Sequence, residues 1–304
     1  MRVLIVCSGN HERIATFITE QVYSLHNIGI TTDFFTIKGK GIFGYFINLS
    51  SYLRKIKEFK PDIIHAHYGL SGVFANLQFK TPVITTYHGS DLNNKFAGNF
   101  SYLCHKLSNF NIHVFKNSKA TKWSPNKINV IPCGVDFEMF DVYDREKCRK
   151  SLGFEPVRHY ILFAGAFDNP VKNSQLAKDS IQYLENTELI ELKGKSREEV
   201  AILLNAVDAL LLTSHSEGSP QIVKEALACN CPVVAVNVGD LKEQYVNFRN
   251  CKIVPRNPLI ISNALVELFS PKDYFNSRQE LLNLSLDLKS TAEKIRTIYA
   301  QILS

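Results

Sequence analysis

The stretch TSHSEGSPQIVKEALACNCPVVAVNVGD, residues 213–240, has the pattern of a strand end, a loop, a helix and a second strand. Apolar runs at 207–213 and 232–236 are typical of parallel strands that are buried on both faces. Between them a Gly-Ser-Pro interruption opens a helix, and we predict Ser219 as its N-cap and Pro220 as its first residue. The segment therefore predicts one unit of an open α/β sheet.

Two carboxylates lie in this segment, Glu217 in the loop and Glu225 about a turn and a half into the predicted helix. Open α/β sheets bind ligands at the carboxyl ends of their strands, and a helix N-terminus attracts phosphate or another anion. We therefore expect both carboxylates to border one ligand-binding cleft. The alternative is that both are solvated carboxylates near a helix end.

The segment EGSPQIVKEALACNCPVVAVNVGD resembles the Glu-x7-Glu segment of retaining, family-4-type glycosyltransferases of the GT-B fold, of the bacterial surface-polysaccharide type. The resemblance implies that Glu225 binds the ribose hydroxyls of a sugar nucleotide and that Glu217 faces the transferred hexose. It also implies that the following backbone lines the sugar and diphosphate: Ser219, Pro220, Gln221, Ile222 and Val223.

The chain has 304 residues, 45% of them hydrophobic, which is enough for large cores and favours about two domains. No apolar run is long enough to span a bilayer, and the N-terminus has a strand pattern instead of a signal peptide, so we expect a cytoplasmic protein. The seven cysteines show no metal-type spacing and are expected to be reduced. No metal or other cofactor is expected.

Charge is divided unequally along the chain. Residues 1–135 contain 15 Lys and Arg against 6 Asp and Glu, a net +9, whereas the remainder contains 20 against 23, a net −3. This difference indicates two domains with different partners. A basic half is compatible with nucleic acid, an anionic membrane or a phosphorylated acceptor.

Strand and helix patterns alternate along the first half. RVLIVC begins it, followed by the strand patterns TTDFFTI, PDIIHA, TPVITTYH, NIHVF and KINVIP. Alternation of this kind predicts a parallel, doubly wound sheet. The second half repeats the pattern from HYILFAG onward, so we predict an α/β protein with two Rossmann-like, doubly wound domains, which the resemblance places on either side of a cleft.

Three residues of the first half match positions that contact substrate in the resembling family. His88 and Asp91 fit its His-x-x-Asp motif, in which the histidine touches the transferred sugar near the reacting carbon. Gly9 resembles the glycine of the N-terminal loop that faces the reaction centre, although an ordinary tight turn is the alternative. For His65 and His67 we predict structural roles.

The family signature Ile-Pro-x-Gly-Val-Asp, found at 131–136, predicts that the first domain covers residues 1–136. Residues 137–157 are expected to be a linker, 158–285 the nucleotide-sugar domain, and 286–304 a helix that can cross back onto the first domain. The family places an Arg and a Lys after the first strand of its second domain to neutralise the diphosphate. Lys172 matches the Lys, whereas Ala166 occupies the position of the Arg.

The resemblance implies a hexosyltransferase that moves a hexose, with retention, from a nucleotide diphosphate sugar, expected to be a UDP-sugar, to a polyprenyl-diphosphate-linked glycan. His88, Glu217 and Lys172 would be catalytic, and no nucleic acid would be bound. The alternatives are a sugar-nucleotide epimerase or phosphorylase of the same fold, and a non-catalytic module that binds a nucleotide sugar or nucleic acid.

Residues 39–60 place apolar side chains at Ile42, Phe43, Tyr45, Phe46 and Ile47 next to basic side chains at Arg54, Lys55, Lys57 and Lys60. An amphipathic segment of this kind can lie in the interface of an anionic membrane. We therefore expect peripheral binding at the inner face of the plasma membrane. An ordinary helix packed on the first sheet is the alternative.

Overall fold

The computed structural model describes residues 1–10, 14–39, 41–93, 95–116, 123, 125–269 and 276–304. The chain divides into two compact units. Unit 1 contains Met1–Gly134 together with Leu288–Ser304, and unit 2 contains Val135–Asp287.

Each unit is built on one parallel sheet. In chain order the strands are β1 (Arg2–Ser8), β2 (Thr31–Ile37), β3 (Ile63–His67), β4 (Val83–Tyr87), β5 (Phe110–His113), β6 (Ile128–Val130), β7 (His159–Phe163), β8 (Thr187–Glu191), β9 (Ala209–Leu212), β10 (Val233–Val236) and β11 (Cys251–Val254). Their spatial order is β2-β1-β3-β4-β5-β6 in unit 1 and β11-β10-β9-β7-β8 in unit 2. Both sheets are doubly wound, which confirms the predicted fold class.

Helices connect these strands. In chain order they are α1 (Thr16–Asn27), α2 (Gly41–Ile47), α3 (Leu49–Phe59), α4 (Gly69–Ala75), α5 (Ser90–Asn93), α6 (Lys95–Leu107), α7 (Arg145–Ser151), α8 (Ser174–Ile181), α9 (Arg197–Ala206), α10 (Gln221–Ala228), α11 (Leu241–Tyr245), α12 (Pro258–Phe269), α13 (Ser277–Asn283) and α14 (Leu288–Leu303). The last helix, α14, belongs to unit 1.

Helices cover both faces of the sheet of unit 1. Successive side chains of a strand point to opposite faces of the sheet, so each strand contributes to both apolar layers. Along β1, Val3 and Ile5 pack into one apolar cluster with side chains of α1 and α14. Leu4 and Val6 pack into the opposite cluster, which contains Tyr52 of α3 and side chains of α4. Helices on both faces therefore explain why the strand is apolar throughout.

Residues 137–157, predicted as a linker, are part of unit 2. Phe140 is fully buried in the core of that unit. The Arg278 guanidinium donates to the carbonyl oxygens of Phe137 (2.8 Å) and Phe140 (2.6 Å) and fixes this segment against α13. The charged sequence of α7 resembles a connector, but the apolar residues before it are anchored in the core.

The α2–α3 surface of unit 1 is amphipathic, although part of the predicted patch faces inward. Tyr45 packs against Phe74 in the core, and Lys55 forms an ion pair with Asp33. The side chains of Ile42 and Phe43 lie outside the described residues. The exposed members are the apolar Phe46, Ile47 and Leu53 and the basic Arg54, Lys57 and Lys60. Within the described part of the chain, no helix combines the length and apolar composition needed to cross a bilayer.

Candidate active site

The loop after β9 is held in place by Arg256, which follows β11. Its guanidinium donates hydrogen bonds to the carbonyl oxygens of Thr213 (2.9 Å), Ser214 (2.7 Å) and His215 (3.2 Å). Hydrogen bonds from a planar, permanently charged group are strong and directional, so they restrict the backbone of this loop. The restricted segment ends two residues before Glu217, so the backbone that leads to this residue is held in place.

Lys172 and Glu217 form an ion pair at the point where the strand order of unit 2 reverses. Lys172 follows β7 and Glu217 follows β9, and these strands are neighbours in the sheet. Lys172 Nζ donates to Glu217 Oε1 at 2.7 Å, and both side chains are largely buried. Ligands of open α/β sheets bind at such a switch point. The structure thus brings together two residues that the sequence predicted separately.

The backbone around Lys172 is also fixed. Thr213 Oγ1 donates to the carbonyl oxygens of Lys172 (3.0 Å) and Asn173 (2.9 Å). A Cβ atom at Gly165 would lie 2.6 Å from Lys172 Cγ, so the lysine side chain passes directly over this glycine. Ala166, which stands where the resembling family has an Arg, adds no charge here. Lys172 is therefore the cation that the turn after β7 supplies.

Helix α10 begins one residue later than predicted, at Gln221. Pro220 is the N-cap, with an extended ψ of 111°, and no side chain caps the helix. The prediction of Ser219 as N-cap was therefore wrong, because the extended Pro220 backbone ends the loop. Ile222 packs on the core and Val223 lies inside it, so their side chains face away from solvent and only their backbone remains for a ligand.

Glu225 of α10 is 2% exposed and forms an ion pair with Arg197, whose Nη1 lies 2.9 Å from Glu225 Oε1. The Arg197 guanidinium also lies over the Phe140 ring, 4.6 Å from its centroid. Arg197 is the first residue of α9, where Ser196 and Glu199 form a capping box. Arg197 was not predicted as a site residue. Its helix start was visible in the sequence, but its partner 28 residues later in the chain was not.

The loop that contains Glu217 is connected to the loop after β10. Asp240 N–H donates to the Gly218 carbonyl oxygen at 3.1 Å. Gly239 has φ +60°, and a Cβ atom there would lie 2.1 Å from the same oxygen. Only glycine allows this approach, because both the conformation and the space exclude a side chain. The loops after β9 and β10 are thus joined next to Glu217.

In unit 1, Asp91 organises the segment that follows β4. Its Oδ1 accepts hydrogen bonds from the N–H groups of His88 (3.1 Å) and Gly89 (3.0 Å), and its Oδ2 accepts one from Gly69 N–H (3.0 Å). Burial raises the pKa of Asp91 to about 6, although these backbone hydrogen bonds oppose the rise. Asp91 therefore positions the backbone at His88 and Gly89 through Oδ1 and joins it to Gly69 through Oδ2. Its contact with substrate stays a prediction.

His88 contacts a buried histidine that we predicted to be structural. His67 Nδ1 lies 3.0 Å from His88 Nε2, so one proton is shared between the rings. Burial lowers the pKa of His67 well below its usual value, with further lowering from His65 and His88, so His67 is neutral. The Phe17 and Tyr68 rings flank His88 at 4.5 and 4.8 Å. His67 therefore restricts the orientation and tautomer of His88.

The other buried histidines of unit 1 have structural partners. His65 lies 2.6 Å from the Tyr299 hydroxyl and 2.7 Å from Thr86 Oγ1, and burial lowers its pKa to about 3. His105 and His113 contact each other at 2.9 Å, and burial lowers their pKa values to about 3 and about 4. Together with His67 they form a set, the four buried histidines, whose charged forms are strongly disfavoured.

Gly9 lies just after β1 and has a packing role. Its N–H donates to the Ile37 carbonyl oxygen at 2.7 Å. A Cβ atom at Gly9 would lie 2.8 Å from Thr36 Cβ, so any side chain would displace the end of β2. This close contact is sufficient to explain a glycine here. The structure therefore places Gly9 at the strand ends of unit 1, where β1 and β3 reverse the strand order.

Two family models match the chain, and together they cover most of it. The model for Glycosyltransferase Family 4 matches residues 2–139, and the model for Glycosyl transferases group 1 matches residues 144–273. Among curated relatives, the putative teichuronic acid biosynthesis glycosyltransferase TuaC of Bacillus subtilis (strain 168) is 22% identical over 283 residues. The match spans 80% of this chain and 72% of the relative.

Several solved structures share this fold. Sucrose-phosphate synthase from Thermosynechococcus elongatus superposes with a TM-score of 0.85 at 14% identity, over 99% of this chain and 98% of that chain. Anabaena HepE in complex with UDP superposes with a TM-score of 0.79 at 14% identity, over 99% of this chain and all of that chain.

Proposed function

The chain belongs to the glycosyltransferases of the GT-B fold, and on that premise we propose that it transfers a hexose from a nucleoside diphosphate sugar to a lipid-linked glycan. The transfer retains the configuration of the anomeric carbon. A UDP-sugar is the donor, and HepE, a protein of the same fold whose crystals contain UDP, supports this choice. The product is a surface polysaccharide, a choice supported by the relative TuaC, a putative glycosyltransferase of teichuronic acid biosynthesis.

The observation that supports the proposal most is the arrangement of charged side chains at the switch point of unit 2. Lys172 and Glu217 meet after β7 and β9, and Glu225 lies on the helix that follows the same loop. In the proposed complex Lys172 contacts the diphosphate, Glu217 the hexose, and Glu225 the ribose hydroxyls. The backbone from Ser219 to Val223 lines the sugar and the diphosphate.

The ion pair of Lys172 with Glu217 fits a donor that brings negative charge. A diphosphate competes with Glu217 for the lysine, because phosphate oxygens are strong acceptors for an ammonium group. Release of Glu217 then frees its carboxylate to accept hydrogen bonds from hexose hydroxyls. Binding of the donor thus replaces the ion pair of Lys172 with Glu217 by two charge-assisted contacts. Lys172 contacts the diphosphate and Glu217 contacts the hexose, so the donor needs both parts.

The chemistry proposed for this site needs no covalent nucleophile and no metal. The departing phosphate oxygen accepts the proton of the acceptor hydroxyl as that hydroxyl attacks the same face of the sugar. The contribution of the protein is to place both substrates and to stabilise the charge on the leaving diphosphate through Lys172. His88, whose ring contacts neutral His67, is the residue of unit 1 that we propose to contact the transferred hexose.

The acceptor that we propose is linked to polyprenyl diphosphate, so the enzyme acts at a membrane surface. The α2–α3 surface supports this, because exposed apolar and basic side chains are adjacent on it. Its apolar side chains can enter the headgroup region, while each basic residue adds on the order of 1 kcal/mol on an anionic membrane.

A screen of sugar nucleotides by thermal shift tests the donor. A ligand that binds only the folded protein raises its melting temperature, and the rise grows with concentration above the dissociation constant. We expect a UDP-sugar to give a larger shift than the GDP-, ADP- and CMP-sugars.

An activity assay tests the transfer. Consumption of donor without acceptor, or only with free phosphate, would contradict transfer to a glycan.

A further inference from the structure

Asp240, which follows β10, has a buried carboxyl group with no assigned role. The residue is 3% exposed, and neither carboxylate oxygen has a hydrogen-bond partner among residues 1–10, 14–39, 41–93, 95–116, 123, 125–269 and 276–304. It occupies the N-cap position of α11, yet its side chain makes no capping hydrogen bond. The usual structural reason for an Asp at this position is therefore missing.

The carboxyl of Asp240 lies beside the loop that contains Glu217. Its backbone N–H donates a hydrogen bond to the carbonyl oxygen of Gly218, which is the residue after Glu217. Ser219 Oγ is near the carboxyl but outside hydrogen-bond geometry, and it is likewise buried without a partner in the described structure. Two buried polar groups thus adjoin the proposed hexose-binding carboxylate.

A buried polar group without a partner destabilises the folded protein, and a charged group does so more than a neutral one. Burial accordingly raises the pKa of Asp240, and the nearby charge of Lys224, itself fully buried, opposes this only in part. Buried groups of this kind need an explanation, and a functional role or a bound molecule is among those known for proteins.

We propose that Asp240 binds hydroxyl groups of the donor hexose and thereby helps to select the sugar, an inference that rests on the proposed function. A carboxylate accepts hydrogen bonds from hydroxyls, and a buried one does so strongly because water does not compete. The negative charge of Asp240 repels a diphosphate, so the diphosphate of the donor is not its partner. Ribose is assigned to Glu225, so the neutral, hydroxyl-rich hexose is the part that matches Asp240.

Replacement of Asp240 is predicted to weaken the binding of sugar nucleotides and not that of UDP. Loss of a hydrogen bond between a hydroxyl and a charged group weakens binding by about tenfold or more. Asp240→Asn should therefore reduce the affinity for the preferred sugar nucleotide by about tenfold, and leave that for UDP within twofold. If Asp240 contacted the base instead, UDP alone would weaken by the same factor.

Calorimetry tests this with UDP, UDP-glucose, UDP-galactose and UDP-N-acetylglucosamine as probes. Wild-type protein, Asp240→Asn and Asp240→Ser are compared, and the second variant gives the result if the first fails to fold. Glu243→Gln is the matched control, because Glu243 is an exposed acid on the same helix. We expect this control to retain the wild-type ratio of sugar-nucleotide affinity to UDP affinity, and both Asp240 variants to lose it.

Two results would overturn the inference alone: an unchanged affinity ratio in a folded Asp240 variant, or an equal loss for UDP and its sugars. Wild-type protein that binds none of the four probes would overturn the uridine-donor proposal and this inference with it. The two failures are distinguishable, because the first leaves wild-type binding intact.

Discussion

Replacement of Glu225 by glutamine tests the proposed ribose site with little change in volume. Gln keeps one carbonyl acceptor but loses the charge and the second acceptor oxygen. A hydrogen bond to a charged group contributes about 1.5–3 kcal/mol. Glu225 is 2% exposed, so water does not replace the lost bond. We therefore expect UDP to bind Glu225→Gln about 10- to 150-fold more weakly than wild type.

Calorimetry with UDP and with its 2′-deoxy analogue isolates the ribose contribution. Wild-type protein should lose affinity when the 2′-hydroxyl is removed, whereas Glu225→Gln should lose much less, because the partner of that hydroxyl is already impaired. Arg197 remains partly exposed and hydrated in the variant, so its unpaired charge should not unfold the protein. Equal UDP affinity in both proteins, or an equal loss for the analogue, would refute the assignment of Glu225 to the ribose.

Three further results are expected. Lys172→Ala should lower turnover by about 10²-fold, because one preorganised partner of the leaving charge is lost; Lys193→Ala, at an exposed lysine, is the control, and a loss under threefold would show that another cation binds the diphosphate. Folding stability should fall as the pH drops below 6.5, because the unfolded chain protonates the four buried histidines while the folded chain does not; each contributes about 1.4 kcal/mol of loss by pH 5.5, and flat melting temperatures between pH 7 and 5.5 would contradict this. The double variant Phe46→Ser, Ile47→Ser should not float with anionic liposomes at low salt. Wild-type protein recovered equally in the soluble fraction with and without anionic lipid would exclude membrane binding through the α2–α3 surface.

The sequence predicted the features that depend on local pattern. Apolar runs located the strands, and their alternation with helical patterns gave two doubly wound sheets. Lys172 and Glu217 were both expected at strand ends, and parallel strands place such ends on one edge of the sheet. Their direct ion pair follows from strand order, because β7 and β9 are neighbours although β8 separates them in the chain.

The features that the sequence did not predict depend on contacts between distant residues. Arg197 appeared as the start of a helix, and its pairing with Glu225 required the packing of α9 beside α10. His67 was expected to be structural, and only the pairing of β3 with β4 places its ring against His88. Asp240 was not predicted as a site residue, and only the structure shows that its buried side chain does not cap α11.

Transfer of a hexose with retention is measured by the anomeric configuration of the product. The purified protein is incubated with the UDP-sugar selected by thermal shift and a polyprenyl-diphosphate-linked glycan, and the product is analysed by proton NMR. Since the anomeric carbon of the donor is α-linked to the diphosphate, we expect a new α-glycosidic linkage that forms only when both substrates are present. A β-linked product, or release of free sugar and UDP with no change in the glycan, would contradict it.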